Sequence, residues 1–79
     1  MNLRAKCTRQ LTALIESEEE GYVAWCPELD IASQGATVAE ARQNLQEATQ
    51  LFFECASPSE IQQRFRQELF ITRLEVEVG

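Results

Sequence analysis

A chain of 79 residues with 44% hydrophobic and 25% charged side chains has the composition of one globular domain, residues 1–79, without low-complexity tracts or internal repeats. At this length roughly 60–65% of the unfolded surface is buried on folding, so the core is thin and self-association would help it. Thirteen acidic against seven basic side chains give a net charge of −6, which repels phosphate backbones, argues against direct nucleic-acid binding and makes a basic protein the complementary partner.

In chain order, residues 1–7 carry Arg4 and Lys6 and are left unassigned. From about Thr8 to Ser17 the residues Leu11, Ala13 and Ile15 alternate with Thr12, Leu14 and Glu16, which predicts a first strand with Leu14 as an apolar exception on its polar side. Glu18-Glu19-Glu20-Gly21 follows as a solvated hairpin loop of three or four residues, with Gly21 free to take a positive φ. Tyr22–Cys26 is β-prone, and Pro27, which lacks an N–H, ends that ladder. Pro27–Asp30 makes a turn, Ile31–Gln34 a third strand, and Gly35 releases the chain from the sheet.

Beyond Gly35 the period changes. Val38, Ala41, Leu45, Ala48, Phe52 and Cys55 recur at three- and four-residue steps, predicting an amphipathic helix over about Thr37–Ala56. Thr37 is its cap, and Glu40 is placed to reach back to the N–H of the cap. Leu51 and Phe53 lie outside this stripe and are read as widening the core. Ser57-Pro58-Ser59-Glu60 repeats the start signal for a short second helix reaching about Gln67. Leu69–Val78 alternates again, with Phe70, Thr72, Leu74, Val76 and Val78 on one side, and is read as a fourth strand. The expected fold is therefore two-layer α+β of order β-β-β-α-β. Its sheet is four-stranded and mixed, with the last strand parallel to the first, one long helix on one face and the short extra helix before the last strand.

The stretch Gly21–Ala48 also carries Gly21-Tyr22, Ala24, Pro27-Glu28-Leu29, Gly35, Thr37, Glu40-Ala41, Asn44-Leu45 and Glu47-Ala48. This ordered set resembles the G-Y-x-A-x-x-P-E-L…G-x-T-x-x-E-A-x-x-N-L-x-E-A signature of HicB-like antitoxin domains. The resemblance implies a partial ribonuclease-H-like fold of the same element order. It also implies a toxin–antitoxin function, in which the chain binds and occludes a small basic HicA-like ribonuclease with a double-stranded-RNA-binding-like fold. Many HicB antitoxins continue into a DNA-binding helix-turn-helix or ribbon-helix-helix segment, whereas this chain stops after the fourth strand, so autoregulation by operator binding is not expected.

Catalysis is not expected either. A ribonuclease-H-type centre needs several carboxylates converging on metal ions, and the strands supply Glu16 with Glu75 or Glu77, while the sole aspartate, Asp30, sits in a turn. There is no histidine, no G-x-S-x-G elbow and no phosphate-cradling glycine loop. Cys7, Cys26 and Cys55 are odd in number and lack a C-x-x-C pair, so no metal or other cofactor is expected and the compartment is read as reducing. Cys26 and Cys55 are taken as small buried hydrophobes. Neither a membrane-spanning run nor a signal-peptide core follows Met1–Gln10, so a cytoplasmic protein is expected.

If Tyr22, Ala24 and Cys26 face the helix, then Leu14, Val23 and Trp25 lie on the opposite, open face. Trp is enriched among interface anchors. Partner binding is accordingly assigned to Glu18, Glu19, Glu20, Trp25, Glu28 and Asp30. A symmetric dimer or a tetramer is expected to use Leu14, Leu69, Ile71, Arg73 and Glu75, because the fourth strand is a sheet edge. The alternative function is that of a homo-oligomeric HicB-like domain without a toxin. Arg64 and Arg66 among several acids do not make a nucleic-acid footprint.

Overall fold

The computed structural model describes residues 9–66 and 68–79. Three strands, β1 (Leu14–Glu18), β2 (Gly21–Cys26) and β3 (Ile31–Gly35), form an antiparallel meander of spatial order β1-β2-β3. Two helices follow, α1 (Val38–Cys55) and α2 (Pro58–Arg66). The class is α+β, as expected.

The register shows which residues share a face. Leu14 lies opposite Trp25, Ile15 opposite Ala24 and Ser17 opposite Tyr22, while Ala24 meets Ser33 and Cys26 meets Ile31 across the other ladder. Ala24 and Cys26 are buried beneath α1 with Leu29, Ala41 and Leu45, and around these five pack Leu11, Ile15, Tyr22, Ile31, Phe52, Phe53 and Phe65. Because side chains alternate across a strand, Leu14, Val23 and Trp25 fall on the face away from the helix. The expected division of β2 into helix-facing Tyr22, Ala24 and Cys26 and outward-facing Val23 and Trp25 matches this burial.

Capping of α1 follows from its sequence. Thr37 is extended at φ −131° and its hydroxyl accepts the N–H of Glu40 at 3.0 Å. The carboxylate of Glu40 reaches one residue further back than expected, to the N–H of Ala36 at 2.9 Å, while the carbonyl of Thr37 accepts the N–H of Ala41 at 2.9 Å. The amide of Asn44 donates to the carbonyl of Gln34 at 2.8 Å and ties α1 to β3. At the second start signal, Ser57 caps α2 by accepting the N–H of Glu60 at 3.2 Å.

Several expectations are corrected. Within the described residues the first strand begins at Leu14; its expected start at Thr8, like the end of the second helix at Gln67, lies outside them. At the late start the N–H of Thr12 is held by the carboxylate of Glu28, sixteen residues further along the chain, instead of joining a ladder. The β1–β2 loop is the two residues Glu19-Glu20, closed by the Glu18–Gly21 pair. Neither glutamate has a positive φ, which a primed hairpin turn would require, and Gly21 at φ 155° absorbs the mismatch with strand twist. Phe53 widens the core as expected, packing against it and stacking on Phe65 of α2 at 6.1 Å between ring centroids, whereas Leu51 is 58% exposed. Cys55 is exposed because α1 outruns the sheet at its C-terminal end.

Among the described residues no fourth strand is shown, and the sheet they form is antiparallel rather than mixed. Residues 68–79 carry no regular secondary structure and are exposed. Alternation marks which side of a strand is apolar, but a strand exists only when its N–H and C=O groups have a ladder to join. Among the described residues no backbone hydrogen bond links 68–79 to the sheet or the helices.

Candidate interaction surface

The sheet has two very different faces. α1 packs chiefly on β3, next on β2 and barely on β1. Among the described residues no helix covers the other face, which carries Leu14 beside Trp25 as a cross-strand pair, 38% and 40% exposed, with Ala32 opposite Trp25 and Gln34 opposite Val23. A tryptophan in this position presents a large rigid ring at little entropic cost, and its neighbours on both ladders hold it in place.

The expected partner-binding residues do not form one cluster. Glu18, Glu19 and Glu20 stand at the β1–β2 tip, where β2 begins; Trp25 is near the other end of β2, with Glu28 and Asp30 in the turn beyond. The six residues of β2 separate the two acidic groups by about 17 Å. Asp30 is exposed and takes a left-handed φ of 55°, a conformation that aspartate tolerates better than most side chains. Of the expected oligomer residues, Leu14 belongs to the open face, whereas Leu69, Ile71, Arg73 and Glu75 lie on the exposed arm.

Glu28 has an internal role that its sequence position does not reveal. Its carboxylate accepts the N–H of Thr12 at 3.0 and 3.1 Å, the hydroxyl of Thr12 at 2.6 Å and the thiol of Cys26 at 3.4 Å. Partial burial pushes its pKa up, but the hydrogen bonds from Thr12, from its own backbone and from the Cys26 thiol together leave it below the usual glutamate value. Burial also raises the thiol of Cys26, against the lowering effect of the Leu29 backbone and with the help of the neighbouring Glu28 charge, so Cys26 stays a protonated, unreactive core residue. Stability contributed by Glu28 is present in full above the unfolded carboxylate value near 4.3 and is lost as pH falls through the lower folded value. Glu28→Gln should therefore lower stability at neutral pH and flatten its fall below about pH 4.3, as read from urea midpoints across that range.

Arg64 likewise turns inward. It donates to the carbonyl of Leu29 and lies 5.2 Å over the ring of Phe52, holding α2 against the β2–β3 turn and α1, while Arg9, from the segment before β1, lies 4.6 Å over Phe65. Long-range pairings of this kind have no local sequence signal. Glu16 on β1, Asp30 in its turn and Glu75 and Glu77 on the arm occupy separate parts of the chain, and among the described residues no three metal-ligating side chains converge. No helix among the described residues is long and apolar enough to cross a membrane.

Fold and surface together define a small acidic α+β domain with one open, partly apolar sheet face. The chain is 51% identical over 47 residues to the UPF0150 protein ssl0738 of Synechocystis sp.. That similarity covers 57% of this chain and 65% of the relative. No family model matches the chain, and no solved structure matches it.

Proposed function

We propose that this chain is a non-catalytic, cytoplasmic protein-binding module, a HicB-like antitoxin that binds and occludes a small basic HicA-like ribonuclease. The observation that carries this reading is the uncovered Leu14–Trp25 pair on a domain of net charge −6. An exposed aromatic anchor with acidic groups at both ends of its strand suits a basic partner: the charge speeds the encounter and burial of the ring slows dissociation. The HicB-like signature over Gly21–Ala48 and the likeness to a UPF0150 protein, a group similar to HicB, support the same assignment. Under this reading Glu18, Glu19, Glu20, Trp25 and Asp30 face the toxin, and Glu28 acts indirectly by fixing the approach to β1.

The test is a tagged pull-down from the native cell at low and high salt, followed by RNA cleavage assays with the recovered protein. A small basic ribonuclease, inhibited by this chain and released more readily at high salt, is the expected result. Trp25→Ala should weaken that inhibition by at least about tenfold, the loss typical of an interface anchor. Its cost in stability should be about 1–2 kcal/mol, less than the 3–5 kcal/mol of a fully buried large side chain. Recovery of the chain alone, or full inhibition by Trp25→Ala, would count against this assignment.

A further inference from the structure

Among the described residues, six of the ten exposed large apolar side chains lie on the arm, residues 68–79. Leu69, Phe70, Ile71, Leu74, Val76 and Val78 are 47, 82, 52, 78, 66 and 89% exposed. A soluble domain seldom leaves six large apolar side chains of one ten-residue segment in water. Their period-two placement, with Arg73, Glu75 and Glu77 interleaved, is that of a strand with one face to bury and one partly to solvate.

The sheet lacks a strand where such a segment would fit. Among the described residues β1 pairs with β2 alone and its outer edge has no partner. Between α1 and the segment that leads into β1 runs a groove of about 430 Å³, whose lining includes Leu11, Thr12 and Ala13 of that segment, Cys26 of β2 and Arg42 and Leu45 of α1. β3, the other edge, is a poorer acceptor: α1 covers it closely, and the carbonyl of Gln34 is engaged by Asn44. A strand laid along β1 would direct alternate side chains into the groove and the others beside Leu14 on the open face. Phe70, Leu74, Val76 and Val78 match the first set; Leu69 and Ile71 match the second.

We propose that the arm of each chain, Leu69–Val78, adds to the β1 edge of a second copy, so that two chains exchange arms and each sheet gains its fourth strand. The exposed apolar residues offer on the order of 700 Å² per arm, so two arms supply about the 1,200–2,000 Å² buried in a standard specific interface. The exchange needs no toxin to form, although it sets Leu69 and Ile71 beside Leu14 at the border of the face assigned to the toxin.

Sedimentation of the full chain and isotope-filtered NOE spectra of a mixture of labelled and unlabelled copies test this. The expected species has twice the 9.0 kDa chain mass, with intermolecular NOEs from the methyls of Leu74 and Val76 to those of Leu11 and Ile15. Leu74→Pro removes a ladder donor from the exposed arm and should raise the dissociation constant at least about a hundredfold, with the circular dichroism of the remaining domain unchanged. A monomer with a mobile arm, NOEs from the arm within its own chain, contacts between the two arms only, or a dimer indifferent to Leu74→Pro would each overturn the exchange.

Discussion

Leu29→Ala is expected to lower the free energy of unfolding by about 2–5 kcal/mol, which approaches the whole stability of a domain this small. Leu29 is fully buried although it sits in the turn between β2 and β3, and among the described residues it is the largest fully buried side chain. Its N–H donates to the carbonyl of Cys26 at 3.3 Å, and its own carbonyl takes the guanidinium of Arg64. Truncation therefore opens a cavity under α1 and loosens the point at which α2 is fastened to the sheet. Arg64→Ala removes the fastening and its contact over Phe52 without opening the core, and should cost about 1.5–3 kcal/mol, the range for a hydrogen bond from a charged group. Urea unfolding followed by far-ultraviolet circular dichroism separates the two. A Leu29→Ala midpoint near that of the parent would mean that the turn repacks and that the core does not depend on it.

Much of the fold was readable because its signals are local. Thr37, Glu40 and Ser57 act at helix starts through bonds of three or four residues, and the change of period at Gly35 marks the passage from sheet to helix. The inward side of β2 was legible from the small residues Ala24 and Cys26. What was not legible depends on partners far along the chain. Glu28 looks like a surface carboxylate until Thr12, sixteen residues away, is folded onto it. Arg64 meets Leu29 across thirty-five residues, and a leucine in a turn has no periodic neighbours to mark it as core. Cys55 shares the helix stripe with Cys26's packing partners, but the stripe does not say where the sheet beneath it ends. The arm shows the same limit most plainly: the alternation over Leu69–Val78 defines a side to be buried without naming the edge that buries it.

Gly35→Ala should be at least as damaging as loss of Leu29, for a reason of space rather than of backbone conformation. A Cβ at position 35 would stand 2.5 Å from the backbone nitrogen of Ala41, 2.8 Å from the carbonyl carbon of Glu40 and 2.9 Å from its Cβ. Two of these atoms are helix backbone and none belongs to the free end of a side chain, so α1 must lift from β3 to make room. That movement would stretch the bond from Asn44 to Gln34 and displace Ala41 and Leu45, the only buried residues of α1. The carbonyl of Gly35 is itself confined, since a Cβ on Gly21 would lie 2.6 Å from it. Two glycines thus allow one close approach of hairpin, β3 and helix start, and side chains at both would act on the same contact. Overpacking of this kind costs about 1–3 kcal/mol where neighbours can relax, and rigid helix backbone places Gly35→Ala at or above the upper end. Because Gly21 and Gly35 share the contact, adding Gly21→Ala should cost less than the sum of the two single changes. The measurement is a double-mutant cycle on urea midpoints, built in a background stable enough to keep each variant folded. Strict additivity would show that the two glycines act separately, and a Gly35→Ala variant within about 0.5 kcal/mol of the parent would show that α1 can ride further from the sheet than this packing implies.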